Sequence, residues 1–437
     1  MIVLKFGGTS AGTAGRMKNI LDIIKDKKDI IVVLSAMSGT TNALVQISEA
    51  LYRQEKDVAS GLINKLESNY KRVVSDFDFP GDLHNEAADL VQSHFDFLRT
   101  FTLDMFTILE EKEVLAQGEL LSTALFQLLC RQQGLNSVLL PALNFMRIDE
   151  DSEPDQDYIS HNLTSELSLH QNADIFITQG YICRNAFGEI DNLKRGGGDY
   201  SATLIGTATD ATEIQIWTDI DGMRNNDPRF VDETFAIDEL SYDEAAELAY
   251  FGAKILHPTC ILPARIKNIP VRLLNSLNST AKGTVITASV PTSPAIRAIA
   301  AKDGITVINI HSDRMLLAFG FLRAVFEVFE RYRTPIDMIT TSEVAVSLTI
   351  DDKISLEKIV NELKEFGKVD VEEGMSIVCI VGSLTPDIKG IASKIFDSLR
   401  DIPVRMISYG GSRNNISILV KTEFKTLALN YLNKGLF

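Results

Sequence analysis

Lys194-Arg195-Gly196-Gly197-Gly198-Asp199-Tyr200-Ser201 decides the fold when read beside Lys5-Phe6-Gly7-Gly8-Thr9-Ser10 near the start of the chain. Each stretch follows an apolar run that reads as a strand and opens into a segment of helical periodicity. Residues without a Cβ let backbone N–H groups close around phosphate oxygens, and the helix N-terminus behind them adds about half a positive charge. Each turn also carries a cation, Lys5 or Arg195, and the second turn holds the acid Asp199. One such turn is a weak signal. Two imply a polyphosphate held between them, and phosphoryl transfer as the chemistry.

Working outward, residues 1–48 read as strand, glycine turn, helix, strand, turn and helix. Met17, Ile20, Leu21 and Ile24 recur at helical spacing, and Ile30-Ile31-Val32-Val33-Leu34 is the continuous apolar run of a buried parallel strand. Residues from 42 to 132 read as mostly helical and charge-rich. Ile175-Phe176-Ile177 returns to strand, followed by the second glycine turn and a helix expected from Tyr200. The strand Glu213–Thr218 then runs into Asp219-Ile220-Asp221-Gly222. This alternation predicts a three-layer α/β fold with a mainly parallel sheet and ligands at the C-terminal ends of its strands. The prolines and small residues of 288–296 read as a linker. Beyond it a strand-helix-strand pattern occurs twice, with Gly304 and Pro335 answered by Gly374 and Pro403. The expected division is a catalytic domain at 1–290, with a helical subdomain at 42–132, and a second region at 291–437 split into units at 300–370 and 371–437. Two such units beside a catalytic domain serve either sensing or structural stacking.

Size and charge narrow the function. At 437 residues the chain exceeds what one core usually supports. A net charge of −16 and a pI near 4.9 argue against a nucleic-acid or anionic-membrane surface, so a nucleotide substrate needs local cations and a metal counter-ion. Cys130, Cys183, Cys260 and Cys379 form no C-x-x-C pair, as suits a reducing compartment. The chain opens on the strand Ile2-Val3-Leu4 rather than a basic leader, and no run approaches ~18 apolar residues, so the expected location is the cytoplasm. The histidines lack zinc-ligand spacing, and no P-loop or dinucleotide fingerprint occurs.

The candidate residues each carry a plain reading beside the chemical one. Lys5 is a phosphate ligand or a solvated strand-end lysine. Arg195 offers a planar fork for carboxylate or phosphate. Asp199 either caps the helix behind it or orients the site. The hydroxyls of Ser35 and Thr41 flank Gly39 and either bind a substrate carboxylate or satisfy helix-start donors. Glu119 is read as opening a helix, where the dipole alone stabilises a carboxylate, or as the partner of an ammonium group. Thr218, Asp219 and Asp221 make a nucleotide or magnesium edge or an ordinary Asp-Gly turn. Arg229 reaches phosphate or stabilises its own turn, Lys254 stands among apolar neighbours, and His257 reads as a structural helix-end residue.

Taken in order, Lys5-Phe6-Gly7-Gly8-Thr9-Ser10, Gly118-Glu119, Lys194 to Asp199, Trp217-Thr218-Asp219, Asp227-Pro228-Arg229 and Phe251-Gly252-Ala253-Lys254 closely resemble the aspartokinases. The resemblance covers nearly the whole chain and extends to the doubled C-terminal unit, which is similar to a pair of ferredoxin-like ACT domains. With no dinucleotide fingerprint, the chain is expected to be monofunctional, without a fused homoserine dehydrogenase. The resemblance implies an amino-acid-kinase fold and transfer of a phosphoryl group from ATP, with Mg²⁺, to the β-carboxylate of L-aspartate. Lys5, Arg195 and Asp199 would then be catalytic. Ser35, Thr41, Glu119, Arg195, Gly196, Gly197 and Gly198 would hold aspartate. Lys5, Gly7, Gly8, Thr9, Thr218, Asp219, Arg224, Arg229, Lys254 and Ile255 would hold ATP. Met315, Phe321, Leu322, Asp337, Thr341, Ser342, Glu343 and Val344 would meet a lysine or threonine effector, and the ACT units would join a homodimer or higher homo-oligomer.

Three positions depart from the family pattern. Gly198 stands where serine or threonine is usual, Arg224 where tyrosine is often found, and Met315-Leu316-Leu317-Ala318-Phe319-Gly320 replaces a polar stretch. The competing readings are another carboxylate kinase of the same fold, and an amino-acid sensor whose kinase domain has decayed.

Overall fold

A computed structural model describes residues 1–193, 196–252, 257–291, 295–312, 315, 319–384 and 388–437. The chain separates into two compact units. The first is built from Met1–Met223, Asp238–Tyr242 and Leu256–Ser289, the second from Arg224–Ile237, Asp243–Ile255 and Val290–Phe437.

The first unit is organised by strands β1 (Ile2–Phe6), β2 (Ile30–Leu34), β3 (Ser137–Leu140), β4 (Ile175–Gln179), β5 (Ile182–Arg184), β6 (Ile190–Asn192), β7 (Glu213–Thr218), β8 (Glu239–Ser241), β9 (Val271–Asn275) and β10 (Thr284–Thr287). Eight of these form one sheet in the order β3-β4-β2-β1-β7-β9-β10-β8, parallel throughout except where β10 turns back along β9. Every residue of β2 and of β4 is buried, as expected of strands covered on both faces. Helices α1 (Ala14–Ile24), α2 (Thr40–Tyr52), α3 (Lys56–Phe77), α4 (Gly81–Thr100), α5 (Ile108–Gln132), α6 (Gln156–Ser168) and α7 (Gly197–Ala208) follow. The charge-rich region is indeed helical, α2 to α5 sharing a core of Leu44, Ile63, Tyr70, Phe77, Phe95 and Phe126. The strand read at 173–183 breaks at Gly180. A two-stranded antiparallel hairpin, β5 with β6, stands between β4 and the second glycine turn.

The second unit carries α8 (Tyr242–Tyr250) apart from its first residue, which clusters with the first unit. The short helix α9 (Leu262–Lys267) belongs to the first unit. The second unit's sheet runs β12-β13-β11-β14-β16-β15, with β11 (Ile296–His311), β12 (Ile339–Thr341), β13 (Ala345–Ile350), β14 (Lys368–Gly382), β15 (Val404–Ser408) and β16 (Asn415–Lys421). All its pairings are antiparallel. The repeat seen in the sequence is real, but its modules exchange strands. Residues 305–311 of β11 and 368–372 of β14 lie with β13 and β12, while 296–302 and 375–382 lie with β16 and β15. Both long strands shift register at Gly304 and Gly374, whose positive φ angles of 80° and 73° make the bulge. Helices α10 (Phe321–Arg331) and α11 (Leu356–Leu363) bury Val325, Phe329 and Ile359 on the first module. Helices α12 (Ile391–Ser398) and α13 (Lys425–Leu436) bury Ile395 and Leu432 on the second. Of the expected linker, Ile296 already belongs to β11, and residues 292–294 lie outside the described residues.

Two earlier segments are fastened to these modules by aromatic rings on ion-paired lysines. The Lys425 ammonium lies 3.9 Å from the Phe230 ring centroid and 2.7 Å from Asp303. Lys302 lies 4.4 Å from the Tyr250 ring centroid, 2.9 Å from Asp337 and 2.8 Å from Asp351. Tyr250 also donates to Asp337 at 2.7 Å. Burial alone would lower the Lys302 pKa, but its two carboxylates raise it. The Asp337 side chain is 1% exposed, so loss of its ammonium would strand a buried charge. Lys302→Met is therefore expected to destabilise the protein by about 3 kcal/mol, and Lys302→Arg by much less, in urea titrations followed by circular dichroism.

Candidate active site

β1 and β2 run in register, Lys5 beside Val33 and Phe6 beside Leu34, so their ends deliver Lys5 to Thr9 and Ser35 to Gly39 side by side. β4 extends the same edge, Gln179 beside Leu34. It ends at Gly180, where any Cβ would lie 3.0 Å from the Gly198 Cα. Gly196 caps α7 with φ at 77°, a left-handed turn that glycine takes without strain. These strand ends and the α7 N-terminus enclose a cleft of about 440 Å³. Lys5, Gly8, Thr9, Ser35, Thr41, Glu119, Tyr181, Gly196, Gly197, Gly198 and Asp199 line it, so both glycine turns face one space.

At its floor the Lys5 ammonium and the Asp199 carboxylate stand 2.6 Å apart, each side chain about one-eighth exposed (12% and 13%). α7 starts at Gly197, not at Tyr200, and Asp199 sits in its first turn. The Asp199 carboxylate is ion-paired with Lys5, and no side chain caps the helix by a hydrogen bond. Gly198 lies over the pair: a Cβ there would meet both Lys5 Cε and Ser35 Oγ at 3.0 Å. Gly7 adjoins the same ammonium, a Cβ there lying 3.3 Å from Lys5 Nζ.

Glu119 forms the opposite wall, and it does not open a helix. It lies in the middle of α5, beyond help from the helix dipole. The preceding Gly118 lets α5 come close, since a Cβ there would be 2.9 Å from the Ala36 Cβ. Glu119 accepts from the Ala36 N–H at 3.2 Å, and Ser122 donates to the Ser35 carbonyl at 3.0 Å, which stitches α5 to the turn after β2. Its other oxygen is buried with no partner among the described residues. Burial pushes the Glu119 carboxyl up to about 7 despite the Ala36 bond. A buried carboxylate with one free oxygen is suited to an ammonium group arriving with the substrate.

The other candidates divide. Thr218 and Asp219 end β7, next to β1, with the Thr218 hydroxyl on Asp219 at 3.2 Å and Asp219 exposed. Asp221 accepts from Asn275 at 2.8 Å, the ordinary turn use. Arg224 and Arg229 belong to the second unit. Arg224 donates to Thr234 at 2.7 Å, and Arg229 forks onto Asp227 with Nε at 3.0 Å. His257 starts a 3₁₀ turn and shares a hydrogen bond with Thr259, in keeping with a structural residue. Arg195, Lys254 and Ile255 lie outside the described residues. Met315 and Phe321 pack on the first module's core, Leu322 is exposed, and Thr341, Ser342 and Glu343 are exposed beside Val344. Asp337 is held by Lys302 and Tyr250. Sequence reading passed over Gly180 and Tyr181. The signal was available in a Gly-Tyr pair directly after an apolar strand, where such sheets gather ligands.

The model of the amino acid kinase family matches residues 1–275, and that of the ACT domain matches residues 378–436. The chain is 33% identical to the lysine-sensitive aspartokinase 3 of Escherichia coli over 100% of this chain and 99% of that one. The chain belongs to the aspartokinase family. The crystal structure of E. coli aspartokinase III in complex with aspartate and ADP superposes with a TM-score of 0.85 at 32% identity, covering 100% of both chains. The structure of that enzyme in complex with lysine and aspartate gives 0.82 at 33% identity, over 100% of this aspartokinase and 99% of that chain.

Two outcomes follow from the cleft of this aspartokinase. Gly198→Ala gains helix propensity in the first turn of α7 but crowds Lys5 Cε and Ser35 Oγ, so the melting temperature is expected to stay unchanged or fall slightly. It would also press Lys5 aside and lower turnover by about tenfold, as a steady-state assay would record. For Glu119, the native chain holds a proton between pH 4.5 and about 7 that the unfolded chain releases, so stability falls as pH rises through that window. Glu119→Gln lifts that penalty. Denaturant titrations are expected to find it more stable than the natural chain by roughly 3 kcal/mol near pH 8 and by under about 1 kcal/mol near pH 5.

Proposed function

We propose that this chain phosphorylates the β-carboxylate of L-aspartate, consuming ATP and yielding ADP and 4-phospho-L-aspartate. The observation that carries the reading is the single cleft in which Lys5, paired with Asp199, faces a buried Glu119 across two glycine turns. A β-carboxylate is ionised at neutral pH, so the transfer needs no general base. A carboxylate oxygen attacks the terminal phosphorus, the bond to the bridging oxygen breaks, and ADP leaves with that electron pair. The protein's work is alignment and charge neutralisation.

In this reading Lys5 shifts from Asp199 toward the transferring phosphoryl group, while Asp199 keeps the ammonium aimed. The N–H groups near Gly7, Gly8 and the α7 N-terminus neutralise phosphate oxygens. Glu119 takes the substrate ammonium, Arg195 its α-carboxylate, and Ser35 and Thr41 border the amino acid. Thr9, Thr218 and Asp219 are assigned to the nucleotide. Mg²⁺ accompanies ATP in this reading, bound through one or two carboxylates, water and substrate phosphates, with Asp219 as the acid at the strand end. Bound there, the ion would neutralise phosphate charge.

Lysine is the effector carried over from the relative's complex, and of the residues expected to meet it Asp337 is already paired with Lys302. Four buried, unpaired cysteines suit a reducing cytoplasm, and among the described residues no helix is long and apolar enough to cross a membrane. Assembly through the ACT units into a homodimer or larger oligomer completes the reading.

ADP release is expected with aspartate and to fall at least about tenfold in kcat/KM with glutamate, since one methylene must be refused. Preference for glutamate or N-acetylglutamate would defeat the proposal. Arg195→Ala is expected to raise the KM for aspartate far more than that for ATP.

A further inference from the structure

Tyr181 lines the cleft without a role in the assignments above. Its backbone has φ at 70°, in the left-handed region that bulky side chains avoid. Such conformations persist only where the surroundings hold them, and they gather at functional sites. Here the holding groups are visible. The Tyr181 N–H donates to Ser201 Oγ at 2.9 Å, and its carbonyl accepts from the Leu193 N–H at 2.8 Å. Ser201 donates in turn to the Gly197 carbonyl at 2.8 Å. The strained residue is thus tied to α7, the helix whose N-terminus frames the cleft.

The strain has a product. A Cβ at position 197 would fall 2.6 Å from Tyr181 Cδ2 and 3.2 Å from its Cα, so the ring rests directly on the backbone of the second glycine turn. An ordinary extended backbone at 181 would aim the ring elsewhere and leave that turn without a wall. The ring atom nearest that glycine is the carbon Cδ2.

We propose that Tyr181 is a positioning residue for phosphoryl transfer, its left-handed backbone pressing the ring onto Gly197 so that the Gly196–Gly198 turn keeps the shape that receives the amino acid. The inference rests on the aspartate kinase reading, and the control separates the two. Aspartate-dependent ADP release by the unaltered full chain is measured first, and its absence overturns the functional reading and this inference with it. With turnover present, Tyr181→Phe is expected to keep the aspartate KM within about twofold, while Tyr181→Ala raises it about tenfold or more and leaves the ATP KM within about twofold. Tyr181→Gly relieves the backbone strain, so it should melt no lower than the alanine variant yet show the same rise in aspartate KM. Melting temperatures that fall with both KM values unchanged would make the ring merely structural and overturn the proposal. A parallel rise in both KM values, or a loss in Tyr181→Phe equal to that in Tyr181→Ala, would overturn it as well.

Discussion

An ammonium and a carboxylate 2.6 Å apart at the floor of a cleft constrain everything around them. Lys5 arrives at the end of a strand and Asp199 in the first turn of a helix nearly two hundred residues later. Their meeting requires that β1 and α7 approach closely, so closely that a Cβ at Gly198 would lie 3.0 Å from Lys5 Cε. The pair also solves a problem of charge. A lone cation in the cleft would be costly to desolvate, whereas a paired one is compensated by its carboxylate.

Close approach of backbones is the means. Gly118 brings α5 against the turn after β2, and Gly180 brings the end of β4 against Gly198. In both places a methyl group would force the elements apart. The price is a buried carboxyl, Glu119, whose proton is retained to about pH 7 when no cation is present. Burial disfavours the ionised form of this carboxyl, and a cation brought to its unpartnered oxygen would favour it.

The second unit applies a related device. Lys302 and Lys425 each pair with an aspartate and lie against an aromatic ring from an earlier segment, Tyr250 and Phe230 respectively. An ion pair that is also stacked holds two groups in fixed geometry where either alone would tolerate rotation. The exchange of strands between the two modules has a similar effect, because neither module can be completed without the other's long strand.

The sequence by itself determined the alternation of strand and helix, the two glycine turns, the helical region, the repeated C-terminal pattern and the candidates Lys5, Glu119 and Asp199. These were legible because periodicity and backbone freedom are local properties of a chain. Only the tertiary structure decided that Glu119 lies inside α5 rather than at its start, that Arg229 turns onto Asp227, and that the ACT-like modules share β11 and β14. It alone revealed Tyr181 resting on Gly197. The reason is physical. Which carboxylate is desolvated, which cation is already paired and which strand completes which sheet depend on groups far apart in the chain, and no local pattern encodes their distance.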